Sequence, residues 1–169
     1  YIPQNEKTLL GQFIYLCKNP KSFEEKAALV NLAEDYTSYG FAHKTHHNYF
    51  LHLRELLKAC DIYLVDPRTG YVIYSLGKNL DFGTNLYDGE LKDSKLSVAF
   101  RKGLAADRTE VSFVDFSNYP GAADKPVSFF SAPVYSYNQL TSVLIVSYTP
   151  NLFDDILTTM DMAAGSGSL

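Results

Sequence analysis

The chain has 169 residues, enough for one domain with a substantial core and too few for two comfortable ones. Apolar residues make up 46%, which excludes wholesale disorder, and the formal charge of −4 argues against a nucleic-acid surface, which needs a basic stripe. Thirteen Tyr and eleven Phe with no Trp suggest polar-tipped aromatics lining a pocket or an interface, beside the partly buried structural role that most aromatics have.

The first sixty residues read as helices. Leu9, Leu10, Phe13, Ile14 and Cys17 recur at helical spacing between about Asn5 and Lys18, and Pro20 ends that segment at Asn19. SFEE (Ser22 to Glu25) is a capping box that opens a second helix to about Asp35. After DYTSYG a third helix is expected from near Phe41 through Tyr49, Phe50, Leu53, Leu56 and Leu57 to Cys60. The period then shortens. DIYLVD and YVIYSL form a hairpin around the turn PRTG, where Pro67 and Gly70 are suitably placed. A helix starting near Asp93 or Ser94 buries Leu96, Ala99, Phe100 and Leu104. TEVSFVDF, VSFFSAPVYS and LTSVLIVSYT are three more strands, and NLFDDILTTM is a closing helix capped by Asn151. Helices grouped ahead of a largely antiparallel five-stranded sheet make an α+β domain, one face of the sheet covered by the leading helices. The expected division is a helical segment over 1–60, an α+β core over 61–160 and a flexible tail over 161–169, with helices and core forming one domain.

The first residue is Tyr rather than Met, so the chain is expected to be a piece of a longer protein. It has no run of about 18 apolar residues. Cys17 and Cys60 permit one disulfide, but two buried free thiols are the plainer expectation.

Several chemistries are weighed and set aside. The triplet Asp81-Phe82-Gly83 has neither a glycine-rich loop nor an H-R-D motif ahead of it, so it does not mark a kinase. His43 and His47 lie one helical turn apart, a spacing that suits zinc, but no third ligand is evident; the expected roles are packing, capping or hydrogen bonding, or one ring reaching into the pocket. A hydrolase would want a G-x-S-x-G elbow, which is absent, and a carboxylate pair such as Asp81 and Asp115 is available in any acidic protein. A structural or protein-interaction module without a ligand stays open as the alternative to a binding domain.

One ordered series of residues carries a resemblance. It runs through Asp66, Thr69, Gly70, Tyr74, Lys78, then Asp81, Phe82, Thr84 and Leu86, then Gly89, Asp93, Ser94 and Leu96. VDFSNY (Val114 to Tyr119) and PVSFFSAPVY (Pro126 to Tyr135) continue it, and AHKTHHNYFLHLRE precedes it. The series resembles Cache domains, the PAS-like extracytoplasmic sensor modules of bacterial and archaeal chemoreceptors, histidine kinases and nucleotide cyclases, from roughly Leu16 to Met160. The chain departs at Lys78-Asn79, where the family often has Lys-Glu, and at Pro120-Gly121, where it usually has Pro-Ser.

The resemblance implies the sensing part of a membrane-anchored receptor outside the cytoplasm, not an enzyme, needing no cofactor. Its partner would be a small polar metabolite such as an amino acid, amine or carboxylate, and it would form at most a weak homodimer through the leading helix, where Leu9, Phe13 and Leu16 make an exposed strip. DFGTNL becomes the loop after the second strand, bent at Gly83, with Asp81 and Thr84 bonding local backbone. The implied ligand site centres on Asp115, which shares a strand face with Val111 and Phe113. Around it stand Tyr74, Lys78, Asp81, Phe82, Tyr119 as a lid, and Phe130 and Ser131 from the facing strand. A turn-forming role for Asp115 and a solvated surface position for Lys78 are the plain alternatives.

Overall fold

The computed structural model describes residues 6–19, 21, 25–29 and 37–152. The second expected helix with its Ser22 capping box and the closing helix beyond Leu152 lie outside the described residues, apart from a short 3-10 turn, Lys26–Ala28. Helix α1, Glu6–Gln12, runs into a widened π-helical segment, Phe13–Cys17, closed by the Lys18 amide on the Phe13 carbonyl at 3.0 Å. Helix α2, Ser38–Leu57, starts three residues ahead of the expected Phe41 because Thr37 caps it, its hydroxyl accepting the Gly40 amide at 3.0 Å. It ends short of Cys60 because Lys58 adopts a left-handed conformation (φ 52°) and returns its amide to the Arg54 and Glu55 carbonyls.

Strands β1 (Asp61–Val65), β2 (Val72–Ser75), β3 (Ser112–Tyr119), β4 (Lys125–Ser136) and β5 (Gln139–Tyr148) form one sheet in the order β2-β1-β5-β4-β3, with every neighbouring pair antiparallel. Helix α3, Lys95–Ala105, connects the hairpin to β3; it begins just after the expected Asp93 or Ser94, and the Ser94 hydroxyl caps it by accepting the Ser97 amide. This is the expected α+β arrangement of leading helices and a five-stranded antiparallel sheet.

Alternation along the strands builds two cores. On one face Tyr63, Val65, Val72, Val114, Phe129, Val143 and Ile145 meet Leu96, Ala99 and Phe100 of α3. Leu104 is only half-buried there. On the other face Ile62, Tyr74, Leu76 and Val146 meet Phe50, Leu51 and Leu53 of α2. Gly103 lets α3 lie close to the sheet, since a Cβ there would fall 2.7 Å from Val143 Cγ1. Cys17 and Cys60 are free thiols, and both are exposed rather than buried, which corrects the burial expected from residue habit.

Candidate functional site

The site is built around the loop that follows β2. Asp66 shapes the β1–β2 turn, its Oδ1 accepting the Arg68 amide at 2.8 Å, and Gly70 completes it at φ 74°. A side chain at Gly70 would also strike the Tyr87 ring, 2.5 Å from its Cβ position. The loop then doubles back along the outer edge of β2. The Gly83 amide donates to the Val72 carbonyl, the Val72 amide to Thr84, and Tyr71 bridges Asn85. The edge strand is thereby covered. Gly83 makes the bend at φ 74°, and the Thr84 hydroxyl donates to the Asp81 carbonyl at 2.7 Å. The Asp81 carboxylate does not serve the local backbone as expected. It points into the core, where Tyr119 donates its hydroxyl to Oδ2 at 3.1 Å.

That carboxylate belongs to a buried ionisable cluster. Asp61, Lys78 and Asp81 are 4%, 1% and 0% exposed. Asp61 Oδ1 accepts the amides of Ile62 (2.7 Å) and Gly77 (3.0 Å). Lys78 has a left-handed backbone (φ 49°) and its ammonium donates to the Ser75 carbonyl. Around the ammonium stand four rings, with centroids at 4.1 Å (Tyr74), 4.9 Å (Phe82), 5.6 Å (Tyr15) and 6.0 Å (Tyr39). These are cation–π distances and offset part of the cost of burying the charge. The surface position considered for Lys78 is thus replaced by full burial.

Burial sets the protonation of the three groups. It lowers Lys78 to about 7 against the attraction of Asp61 and Asp81. It raises Asp81 to about 7, together with the neighbouring Asp61 charge and against the Ser75, Tyr119 and Tyr63 hydroxyls. Asp61 is also raised by burial, against its amide bonds from Gly77 and Ile62 and the Lys78 charge. Asp61 Oδ2, Asn79 Oδ1 and Asp81 Oδ1 are buried without a hydrogen bond of ordinary geometry. Chemically, the cluster can hold or release a proton near neutrality.

The two helix histidines stack at 4.2 Å between ring centroids beside this cluster. His47 Nε2 lies 2.7 Å from the Ala27 carbonyl, which can only accept, so Nε2 carries the proton and Nδ1 accepts the Tyr74 hydroxyl at 2.8 Å. Burial lowers His47 to about 4, consistent with this neutral form. Both nitrogens of His47 are therefore committed to hydrogen bonds inside the protein, one of the roles expected for these histidines.

A cavity of about 490 Å³ opens on the other side of the aromatic rings. Its apolar wall comes from Leu10, Ile14, Tyr15, Tyr39, Ile73 and Phe82, and its polar spots are Thr37, Ser38, Asp66 and Thr69. Gln12 Nε2 donates to the Phe82 carbonyl at 2.8 Å and ties the leading helix to the loop at this point. The volume lies within the roughly 300–1,000 Å³ of small-molecule sites.

Of the expected site residues, the structure brings Tyr74, Lys78, Asp81, Phe82 and Tyr119 together, but as packed interior. Only Phe82 lines the cavity. Asp115 is exposed on β3 beside exposed Val111 and Phe113, and its carboxylate accepts the Phe116 amide at 2.7 Å. This is a bond to its own neighbour within a strand, not the turn-forming bond to the backbone of Ser117–Tyr119 that stood as its alternative. Phe130 is half-buried on that same face, against Phe113 and Tyr148. Ser131 faces the other way and donates to the Ala99 carbonyl of α3 at 2.7 Å. Sequence reasoning missed Asp61, Tyr15 and Tyr39. Asp61 had a usable signal, a charged residue opening an otherwise apolar strand; the two tyrosines had none beyond their abundance.

No family model matches the chain, and no curated protein matches it. Solved structures do. The sensor domain of histidine kinase DctB from V. cholerae shares 17% identity at a TM-score of 0.45, over 86% of this chain and 54% of that one. The ligand-binding domain of the Pseudomonas aeruginosa PAO1 amino-acid chemoreceptor PctC, in complex with GABA, shares 18% at 0.47, over 86% and 62%. The ligand-binding domain of the Campylobacter jejuni chemoreceptor Tlp3, in complex with 4-methylisoleucine, shares 17% at 0.49, over 86% and 60%. The chain thus spans a little over half the length of each. The first is a sensor domain and the other two are ligand-binding domains.

Proposed function

We propose that this chain is the ligand-sensing domain of a transmembrane signalling receptor, placed outside the cytoplasm, with a histidine kinase, chemoreceptor or cyclase as the parent. One observation carries the reading: the 490 Å³ cavity lies between the leading helix and the loop after β2, so one bound molecule touches both. Leu10, Gly11, Ile14 and Tyr15 come from the helical side, Phe82 and Gly83 from the loop. A ligand that prefers one spacing of these elements shifts the helix relative to the sheet, and its difference in affinity between the two arrangements supplies the signal. Among the described residues no helix is long and apolar enough to cross a membrane.

The domain itself is not assigned catalysis. His47 spends its ring nitrogens on Ala27 and Tyr74, and Asp81 is buried while Asp115 is on the surface, so neither set composes a reaction centre. The leading helix exposes Leu9 (44%) and Phe13 (49%), which fits a weak parallel homodimer; Leu16 is half-buried and contributes less. The test of function is a thermal-shift panel of amino acids, amines, carboxylates and purines. A ligand at 100 times its Kd adds about 2.7 kcal/mol. No shift across the panel would favour the alternative, a receptor module that binds protein and not metabolite.

A further inference from the structure

We infer that Asp61, Lys78 and Asp81 form a proton-binding site, and that loss of its proton frees the loop after β2 from the end of β3, which makes the domain responsive to pH. As an input to a receptor this rests on the proposed sensing role; the proton site itself does not.

Charge and hydrogen bonding both call for a proton there. Among the described residues the site holds two carboxylates and one ammonium, none more than 4% exposed. Fully ionised, the three carry a net negative charge, and an uncompensated charge in the interior is costly. One proton makes them neutral. Each carboxylate uses a single oxygen: Asp61 Oδ1 accepts the Ile62 and Gly77 amides, and Asp81 Oδ2 accepts the Tyr119 hydroxyl. The other two oxygens, Asp61 Oδ2 and Asp81 Oδ1, are buried without a hydrogen-bond partner. A carboxylic acid proton suits such a site better than a second bare anion.

The groups around Asp81 do not take this role. From β1 come Asp61 and Tyr63, from β3 Tyr119, and burial holds both phenols well above their ordinary range, so they stay neutral donors. Cys60 beside Asp61 is also raised by burial. From α2, His47 is neutral on Ala27 and Tyr74, His43 stacks on it, and Arg54 acts on His47 and Tyr74 rather than on Asp81. Tyr15, Tyr39 and Tyr74 surround the Lys78 ammonium, which stays on the Ser75 carbonyl.

The site also holds the loop. Asp81 precedes Phe82, whose carbonyl takes the Gln12 side chain of the leading helix at 2.8 Å and whose ring lines the cavity. Gly121, just past β3, lies so close that a Cβ there would fall 2.4 Å from Asp81 Oδ2. Once the proton leaves, two buried carboxylates share one counter-charge, and hydration of Asp81 relieves them. Gly83 and Thr84 remain paired to Val72 on the β2 edge, so the opening is confined to residues 79–82, the stretch that carries the Gln12 contact.

The test uses the whole chain. Carbon-13 NMR of the aspartate carboxyl carbons should show one carboxyl titrating between about pH 6 and 8, and Asp81→Asn should remove it. Asp61→Asn leaves one carboxylate with one ammonium, already neutral, so Asp81 should then titrate at lower pH. Hydrogen exchange reads the loop through the Phe82 and Thr84 amides, which donate to the Asn79 and Asp81 carbonyls at 3.0 and 3.1 Å. After correction for intrinsic exchange their protection should fall about tenfold from pH 6 to 8 in wild type, with no fall in Asp81→Asn and none in the amides between β4 and β5. Circular dichroism checks the fold of both variants; if neither folds, the wild-type titration and exchange decide. Aspartate carboxyls that all titrate in the acid range, or a near-neutral titration that persists in both variants, overturn the proton site. A confirmed titration with unchanged loop protection overturns the coupling. The metabolite panel fails separately: a hit there without a near-neutral titration leaves the sensing reading and removes this inference, while a confirmed titration and exchange response with an empty panel does the reverse.

Discussion

Replacing Asp81 by Asn tests whether the buried cluster carries a proton near neutrality. The carboxyl is raised from an ordinary 3.8 to about 7 by burial and by Asp61. Between about pH 4 and 7 the folded chain therefore holds a proton that the unfolded chain has released. Stability falls as pH rises through that window, by up to about 1.4 kcal/mol per pH unit and by about 2 kcal/mol in all from pH 5 to 7, because the slope halves as the folded carboxyl reaches its midpoint. The wild-type curve hides this loss, because His47 runs the other way. Its folded value is lowered from 6.5 to about 4, so between those limits the unfolded chain binds the extra proton and stability rises with pH. Asn at 81 has the shape of the neutral acid and still offers an oxygen to the Tyr119 hydroxyl. Urea unfolding followed by circular dichroism at pH 5, 6, 7 and 8, wild type against variant, isolates the Asp81 contribution. The variant's stability relative to wild type should grow by about 2 kcal/mol between pH 5 and 7 and level off above. A difference that stays constant over this range would show that Asp81 is ionised throughout, and the account of the cluster would be wrong.

Lys78→Met addresses the opposite limb: the folded value near 7 against an ordinary 10.5 means that wild type gains stability from pH 7 to 9, by up to about 1.4 kcal/mol per unit, and the Met variant should lose that gain in the same titration. Gly121→Ala should cost about 2–3 kcal/mol in urea unfolding, since its Cβ would fall 2.4 Å from Asp81 Oδ2 and 2.5 Å from Tyr119 Cε1 in a packed interior. Asp115→Ala should cost less than about 1 kcal/mol of stability, as it removes one exposed bond to the Phe116 amide, and should leave the affinity of any ligand found by thermal shift unchanged. A tenfold loss of affinity there would return Asp115 to the binding site.

The elements were legible because their periods are local. Leu96, Ala99 and Phe100 mark the buried side of α3 within a few residues, and the turn residues Pro67 and Gly70 announce the hairpin. The start of α2 was harder, because Thr37 sits in DYTSYG, where a cap and an interruption look alike. Alternation also placed Val111, Phe113 and Asp115 correctly on one face; what it could not say is whether anything covers that face. The answer is tertiary: α3 covers the opposite side, and α2 lies over the strands nearer β1, which leaves Asp115 in solvent. Lys78 shows the same limit from the other direction. Its burial depends on rings from positions 15, 39, 74 and 82, a set with no sequence period, so nothing in its neighbourhood distinguishes it from a surface lysine. A motif series can bring Tyr74, Lys78, Asp81, Phe82 and Tyr119 into one neighbourhood without revealing whether space remains between them. Here it does not, and the free volume lies beyond Phe82. The residues around that volume include several outside the motif series, Leu10, Ile14, Tyr39 and Ile73, together with Asp66 and Thr69, which belong to it.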